Sequence, residues 1–263
     1  MKKTLLALAA VAMITGSASA ADLGARPYVK APMPVPVANW TGFYIFGGGG
    51  GGIWSAEQNL VSATTGVDLT RDTRTSGYGW FGTVGAGYDW QFANTWVAGV
   101  FVDGQWGNMR GSYYRPVGVG TLEGWEKLRD QYAAGVRVGY LVAPNVYSYV
   151  NGGYSYSDWS GRTLTGIAFG TTPVVETGSF SRSGWFVGGG VENSLNIFGI
   201  NSPGLFMKTE YRAAYYGRAR QLETVVLAGG PTPAIETFSP WVQTISTSLV
   251  YRFNWTGPVV AKY

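Results

Sequence analysis

The stretch Trp241-Val242-Gln243-Thr244-Ile245-Ser246-Thr247-Ser248-Leu249-Val250-Tyr251-Arg252-Phe253 decides how the rest of the chain is read. A strand sends successive side chains to opposite faces. One face then carries Trp241, Ile245, Leu249, Tyr251 and Phe253, with Gln243 and Thr247 among them. The other carries Val242, Thr244, Ser246, Ser248, Val250 and Arg252. In a water-soluble sandwich the aromatic face would turn into the core. In a transmembrane barrel it turns out to lipid, and the polar face lines the interior.

Aromatic spacing separates the two readings. Trp241 and Tyr251 lie ten residues apart on one face, as do Trp80 and Trp90, and Trp96 and Trp106. Ten residues at ~3.3 Å each span ~33 Å of strand. A tilt of ~40° reduces this to ~25 Å along the membrane normal, the height of an outer-membrane barrel's apolar band. Between the rings lie Gly82, Val84, Ala86 and Tyr88 in one strand, and Ala98, Val100, Val102 and Gly104 in the next. The six aromatics Trp80, Trp90, Trp96, Trp106, Trp241 and Tyr251 are therefore the expected membrane-interface anchors.

Working outward, Met1–Ala20 has the form of a secretory signal peptide. Lys2 and Lys3 precede an apolar run, Leu5–Ile14, and Ala18-Ser19-Ala20 supplies the cleavage site. Residues 21–39 read as a periplasmic linker, because Pro27, Pro32, Pro34 and Pro36 favour extended polyproline II. The barrel is expected over residues 40–255, with a short periplasmic tail at 256–263.

Eight strands are expected: Trp40–Trp54, Thr75–Gln91, Thr95–Gly107, Trp125–Val142, Val146–Tyr156, Phe180–Glu192, Leu205–Tyr216 and Trp241–Phe253. The connections alternate. Asn94 marks a short turn and Ala143-Pro144-Asn145 another, with a longer connection ending in Pro203-Gly204 as the third. Ser55–Arg74, Asn108–Gly124, Ser157–Ser179 and Gly217–Pro240 are long and rich in Gly, Thr and Ser. The fold class that follows is all-β: an antiparallel, eight-stranded transmembrane barrel with short periplasmic turns and four long extracellular loops. An even strand number puts both termini on the periplasmic side.

Composition agrees. Of 263 residues, 13% are charged and 15% aromatic, and glycine numbers 40, a mix poor in helix formers and rich in strand and turn residues. No stretch of ~18 apolar residues follows the leader, which argues against helical spans. The run Gly47–Gly52 lacks the Lys-Ser or Lys-Thr that a phosphate-binding loop requires, and serves a coiled strand better. Lys2 and Lys3 belong to the leader, so 17 of the 19 basic residues remain against 15 acidic ones, and no nucleic-acid signal results.

The chain contains neither Cys nor His. A His-based catalytic triad and thiolate chemistry are thereby excluded, and no enzymatic activity or cofactor is expected. Strand parity instead assigns an inward network of charge: Asp103, Arg129, Arg137, Glu192, Lys208, Glu210, Arg212 and Arg252, with Gln105, Gln131 and Asn151 beside them. Two functions compete for this network. It could be the lining of an ion-selective pore. Alternatively it is a salt-bridged core, favoured because eight strands leave an interior just wide enough for side chains to fill.

Several segments carry a family resemblance: Ala21-Asp22-Leu23, Asn39-Trp40-Thr41-Gly42-Phe43-Tyr44, Gly184-Trp185 through Gly188-Gly189-Gly190-Val191-Glu192, Lys208-Thr209-Glu210-Tyr211, and Tyr251-Arg252-Phe253-Asn254-Trp255. Together they make the mature chain similar to the outer-membrane immunogenic proteins, small porin-family barrels of the OmpA-like superfamily. The resemblance implies a surface antigen in the outer membrane of a Gram-negative cell. Its expected role is structural, in envelope integrity and surface contact. A narrow porin is the alternative. A haem-binding barrel, reported for some relatives, would need Tyr or Met as iron ligand here. Expected partners are outer-membrane lipids and lipopolysaccharide and the barrel-assembly machinery, with cell wall or host surface ligands as further candidates. Tyr251 and Phe253 form the expected C-terminal assembly signal. The signal departs from the common pattern, since Asn254–Tyr263 follow it and Asn-Trp-Thr-Gly occurs at both 39–42 and 254–257.

Overall fold

The computed structural model describes residues 39–117, 120–166, 172–197, 200–226 and 229–253. The expected leader, most of the expected linker, and Asn254 onward lie outside the described residues. All the regular structure described is strand: β1 (Gly42–Ser62), β2 (Thr73–Phe92), β3 (Trp96–Val117), β4 (Gly120–Ala143), β5 (Val146–Trp159), β6 (Arg162–Gly166), β7 (Pro173–Thr177), β8 (Phe180–Ile197), β9 (Ile200–Tyr216), β10 (Ala219–Val225) and β11 (Gly230–Arg252).

Every pairing is antiparallel, and the sheet closes on itself. One ring runs β1-β2-β3-β4-β5-β8-β9-β11, and β11 returns to pair with β1 from Tyr44↔Arg252 to Ser62↔Ala234. A second storey continues it. There β6 takes the place of β5 beside β4, β7 pairs β6 and β10, and β10 pairs β11. The breaks at Ser160-Gly161, Gly178-Ser179 and Gly217-Arg218 interrupt three strands without ending them. The topology is thus an eight-stranded meander that removes every edge.

Strand length explains the second storey. β1 to β4 hold 20 to 24 residues. At ~3.3 Å per residue and ~40° tilt they stand ~50–60 Å tall, about twice the ~25 Å lipid band. Much of the four stretches expected as long loops is therefore strand. Their inward positions continue the alternation: Ala56 and Gln58 are buried, and Tyr113, Leu122, Leu164 and Val175 form a small core of their own.

At the other end the connections are tight. Ala93 and Asn94 turn the chain between β2 and β3 with φ of 48° and 64°, left-handed values that Asn tolerates better than most residues. Pro144-Asn145 joins β4 to β5. The connection expected to end in Pro203-Gly204 is shorter than expected, with strand up to Ile197 and again from Ile200. Gly42 and Arg252, the outer ends of β1 and β11, lie at this same turn end.

Polarity is inverted relative to a soluble protein. Around the lower storey Val84, Val102, Val136, Val150, Val187 and Ile245 face outward and are exposed, while charges are buried within. In the Trp241–Phe253 stretch all odd positions are exposed and the even ones are buried or half-buried.

Candidate functional site: the barrel interior

Beginning at the turn end, four charges meet across the lumen. Asp89 on β2, Arg137 on β4, Glu192 on β8 and Arg252 on β11 come from alternate members of the eight-strand ring. Arg137 lies 2.6 Å from Asp89 and 3.2 Å from Glu192. Arg252 lies 2.8 Å from Asp89 and 2.7 Å from Glu192. Signs alternate around this closed square, so each buried charge has two opposite partners. That arrangement offsets the several kcal/mol that dehydrating each ion costs. Aromatic faces complete the solvation, with the Arg137 guanidinium 4.2 Å from the Tyr44 ring centre and that of Arg252 4.3 Å from Trp40.

A second ionic layer follows. Arg212 on β9 reaches the opposite wall, bonding both oxygens of Asp103 at 3.0 and 2.7 Å. It also holds Glu210 at 2.8 Å, and Glu210 accepts from Tyr149 at 2.8 Å. Lys208 sits 3.6 Å from Glu210 with its ammonium over the Phe46 ring. Neutral partners come next: Gln131 donates to Gln105, and Tyr216 donates to Gln131. An aromatic layer then spans the barrel, where Trp54 of β1 meets Trp159 of β5 at 5.3 Å and both meet Phe238.

The second storey has its own charges, above the outward-facing Trp80 and Trp106 and above the half-exposed Arg129–Asp158 pair, hence outside the lipid band. Arg162 is shared by Glu126 at 2.5 Å and Glu236 at 2.8 Å. Burial pushes the Glu126 carboxyl up to about 7 despite the pull of Arg162, and the like charge of Glu236 adds to the rise. Burial likewise raises the Tyr113 phenol, whose ring lies under the Arg162 guanidinium. Arg115 pairs with Glu223 at 2.5 Å nearer the far rim.

Of the eight charges expected inside, Asp103, Arg137, Glu192, Lys208, Glu210, Arg212 and Arg252 are buried. Arg129 is the correction. Its side chain is half exposed and pairs with Asp158 at 3.7 Å on the outside. The cause is a β-bulge: Leu128 pairs with Trp159 and Asp130 with Asp158, leaving Arg129 as an extra residue. One extra residue reverses the faces beyond it, so Glu126 and Leu128 turn inward where simple parity turned them out. Asp89, absent from the expected set, is buried on the same face of β2 as Phe81 and Thr83, with its neighbour Trp90 exposed. Arg115, Arg162, Glu223 and Glu236 lie in stretches expected as loops, where no parity was assigned.

On the outer surface Trp80, Trp90, Trp96, Trp106, Trp241 and Tyr251 are all exposed. Trp96 packs edge-on against Tyr140 at the turn end, and Trp106 against Tyr132 at the opposite rim. Phe253, also exposed, packs edge-on against Tyr251.

Comparison with known proteins agrees with this architecture. The chain is 30% identical over 203 residues to the 31 kDa outer-membrane immunogenic protein of Brucella melitensis biotype 1, covering 74% of this chain and 82% of that one. The protein of the same description from Brucella suis biovar 1 matches equally. Among solved structures, the outer membrane protein OprG from Pseudomonas aeruginosa superposes with a TM-score of 0.50 at 11% identity, covering 82% of this chain and 98% of that one, a likeness of fold alone. Residues 6–253 match the outer membrane protein beta-barrel domain, and the chain belongs to that family of the Gram-negative outer membrane.

Proposed function

We propose that the protein is a closed, structural barrel that stiffens the outer membrane and presents its second storey to the cell exterior. The observation that carries this reading is the Asp89–Arg137–Glu192–Arg252 square, whose four ion pairs cross the lumen from alternate strands. A pore needs a continuous file of hydrated groups. Here the charges are spent on each other, and the Trp54–Trp159–Phe238 layer lies above them. The orientation rests on the short turns and the ends of β1 and β11 sharing one end, which in such barrels faces the periplasm. Tyr251 and Phe253 close the last strand at that end and are the residues an assembly machinery would read.

Single-channel recording of the purified, folded protein in a planar bilayer tests the proposal. We expect no steady open level in wild type. Sustained currents whose ion selectivity changes on Glu210→Ala, with heat resistance unaltered, would replace the closed barrel with a narrow porin.

A further inference from the structure

The wall of the second storey has an open seam. β1 pairs β2 as far as Thr73, but the ladder between β2 and β3 ends at Tyr78↔Arg110. Among the described residues, β3 runs on from there to Val117 paired only with β4. The chain before β2 folds back along the top of β1: Leu69 N–H donates to the Leu60 carbonyl, and Leu60 N–H donates to Thr70 Oγ1 at 2.9 Å. Behind the seam lies a chamber of about 200 Å³. Gln58 of β1, Tyr113 and Arg115 of β3 and Glu236 of β11 line it from within, and Thr70 and Arg71 form its outer lip. A cleft of about 600 Å³ on the outer surface adjoins it, sharing Thr73 and Tyr114, and has Arg74 and Arg110 but no acidic residue in its lining.

The chamber holds polar groups that the protein itself does not satisfy. Gln58 is 2% exposed, yet neither end of its amide has a hydrogen-bond partner within the protein. An amide buried in that way is costly to keep. The Nε–H of Arg115 is likewise buried and unpartnered, because Glu223 accepts from Nη1. The carboxylates, in contrast, are already engaged. Both oxygens of Glu236 accept from Arg162, at 2.8 and 3.0 Å, and Glu223 faces Arg115. A cationic donor, a neutral donor and a neutral acceptor are therefore spare, and no negative charge is.

We infer that the chamber is a binding site for a small polyhydroxy carboxylate, a sugar acid. Its carboxylate takes the Arg115 Nε–H, guided in past the exposed Arg71. Two neighbouring hydroxyls span the Gln58 amide, one accepting from Nε2 and the other donating to Oε1. The chamber is smaller than the ~300 Å³ at which sites for drug-sized ligands begin, so it admits a single small acid and no polymer. Sulfate would match the guanidinium but cannot donate to Oε1. A neutral sugar would match the amide but leaves the Arg115 donor without an anion. Neither the closed lumen nor the outward orientation is required for this inference.

Binding is measured on the whole folded protein in detergent, by isothermal titration calorimetry and by saturation-transfer NMR. D-glycerate and D-glucuronate are the probes, with D-glucose and sulfate as comparison ligands. We expect at least one of the two acids to bind tenfold or more tighter than either comparison ligand. Gln58→Leu keeps the volume and removes the amide. Arg115→Lys keeps a charge for Glu223 and removes the Nε–H. Each should weaken the acid tenfold or more. Arg71→Ala, at an exposed position, should weaken it severalfold, and decides the matter if either buried variant fails to fold by heat-modifiable migration on gels. Arg220→Ala, exposed on β10 and outside the lining, should change nothing.

Failure of both acids to bind the wild type would mean that the chamber holds only water, and overturns the inference. Equal binding of glucose makes it a neutral-sugar site, and equal binding of sulfate a site for bare anions. Either result overturns the sugar acid. Acid binding that survives Gln58→Leu and Arg115→Lys in folded protein, or that falls as far with Arg220→Ala, lies elsewhere on the molecule and overturns the chamber.

Discussion

Glu126 shows how much one side chain depends on the company it keeps. Its carboxyl is fully buried and shares the single guanidinium of Arg162 with Glu236, so two negative charges face one positive. The Glu126 carboxyl in consequence titrates near 7 in the folded protein, above its ordinary value of 4.5. The folded state holds a proton that the unfolded chain releases between those two values. Stability from this group is complete below about 4.5 and declines as pH rises toward 7, the reverse of a salt-bridged carboxylate whose value is depressed. Glu126→Gln keeps the shape without the ionisation. We expect the denaturant midpoint of wild type to fall relative to Glu126→Gln over that window, by on the order of 3 kcal/mol in stability at pH 8. Parallel pH profiles for the two proteins would refute the shift. Nothing in the sequence around Trp125-Glu126-Lys127 distinguishes this glutamate from a surface one, because the bulge at Arg129 that turns it inward leaves no compositional trace.

β3 carries the argument at the level of an element. Its outward positions run from lipid into the second storey within one strand: Trp96, Ala98, Val100, Val102, Gly104, Trp106, then Asn108. Val102, 57% exposed, lies between the two aromatic rims, where water cannot reach a charge. Val102→Arg should cost about 2–4 kcal/mol and lower the folded fraction in lipid, whereas Asn108→Arg, beyond the rim, should cost less than ~1 kcal/mol. Equal costs in refolding titrations would mean that the rims are misplaced. This part of the fold was legible because period-2 alternation and ten-residue aromatic spacing are physical requirements of a strand that crosses lipid. The second storey was not, because Gly, Thr and Ser mark turns and equally suit a strand that leaves the membrane. The informative residues there were sparse inward ones such as Gln58, Arg115, Arg162 and Glu236. The charged interior was legible only where parity held, which is why seven of its members could be named while Glu126 and the second-storey pairs could not; Asp89 keeps the inward parity of Phe81 and Thr83 on β2, next to the outward-facing Trp90.

For the whole molecule the question is whether the interior behaves as one network or as separate hydrated groups. The square of Asp89, Arg137, Glu192 and Arg252 balances two positive against two negative charges, all buried. Removing one corner unbalances it. Arg137→Ala leaves Asp89 and Glu192 to share Arg252, with a net buried negative charge and a hole beside Tyr44. Loss of a partner from such a buried pair costs on the order of 3–5 kcal/mol. Glu192→Gln alone leaves the converse excess. Combining the two restores neutrality, Arg252 against Asp89. The double variant should therefore be less damaged than the two single losses added together, by roughly 1–3 kcal/mol of coupling. Water filling the lumen would solvate each charge separately, the two losses would simply add, and the cycle would close near zero. Unfolding titrations of the four proteins in one detergent decide between these outcomes. The same set in a planar bilayer supplies the functional counterpart: a coupled square keeps wild type silent and permits current only where a corner is gone, whereas additive losses with wild-type conductance would show that the lumen is open and the charges are its lining.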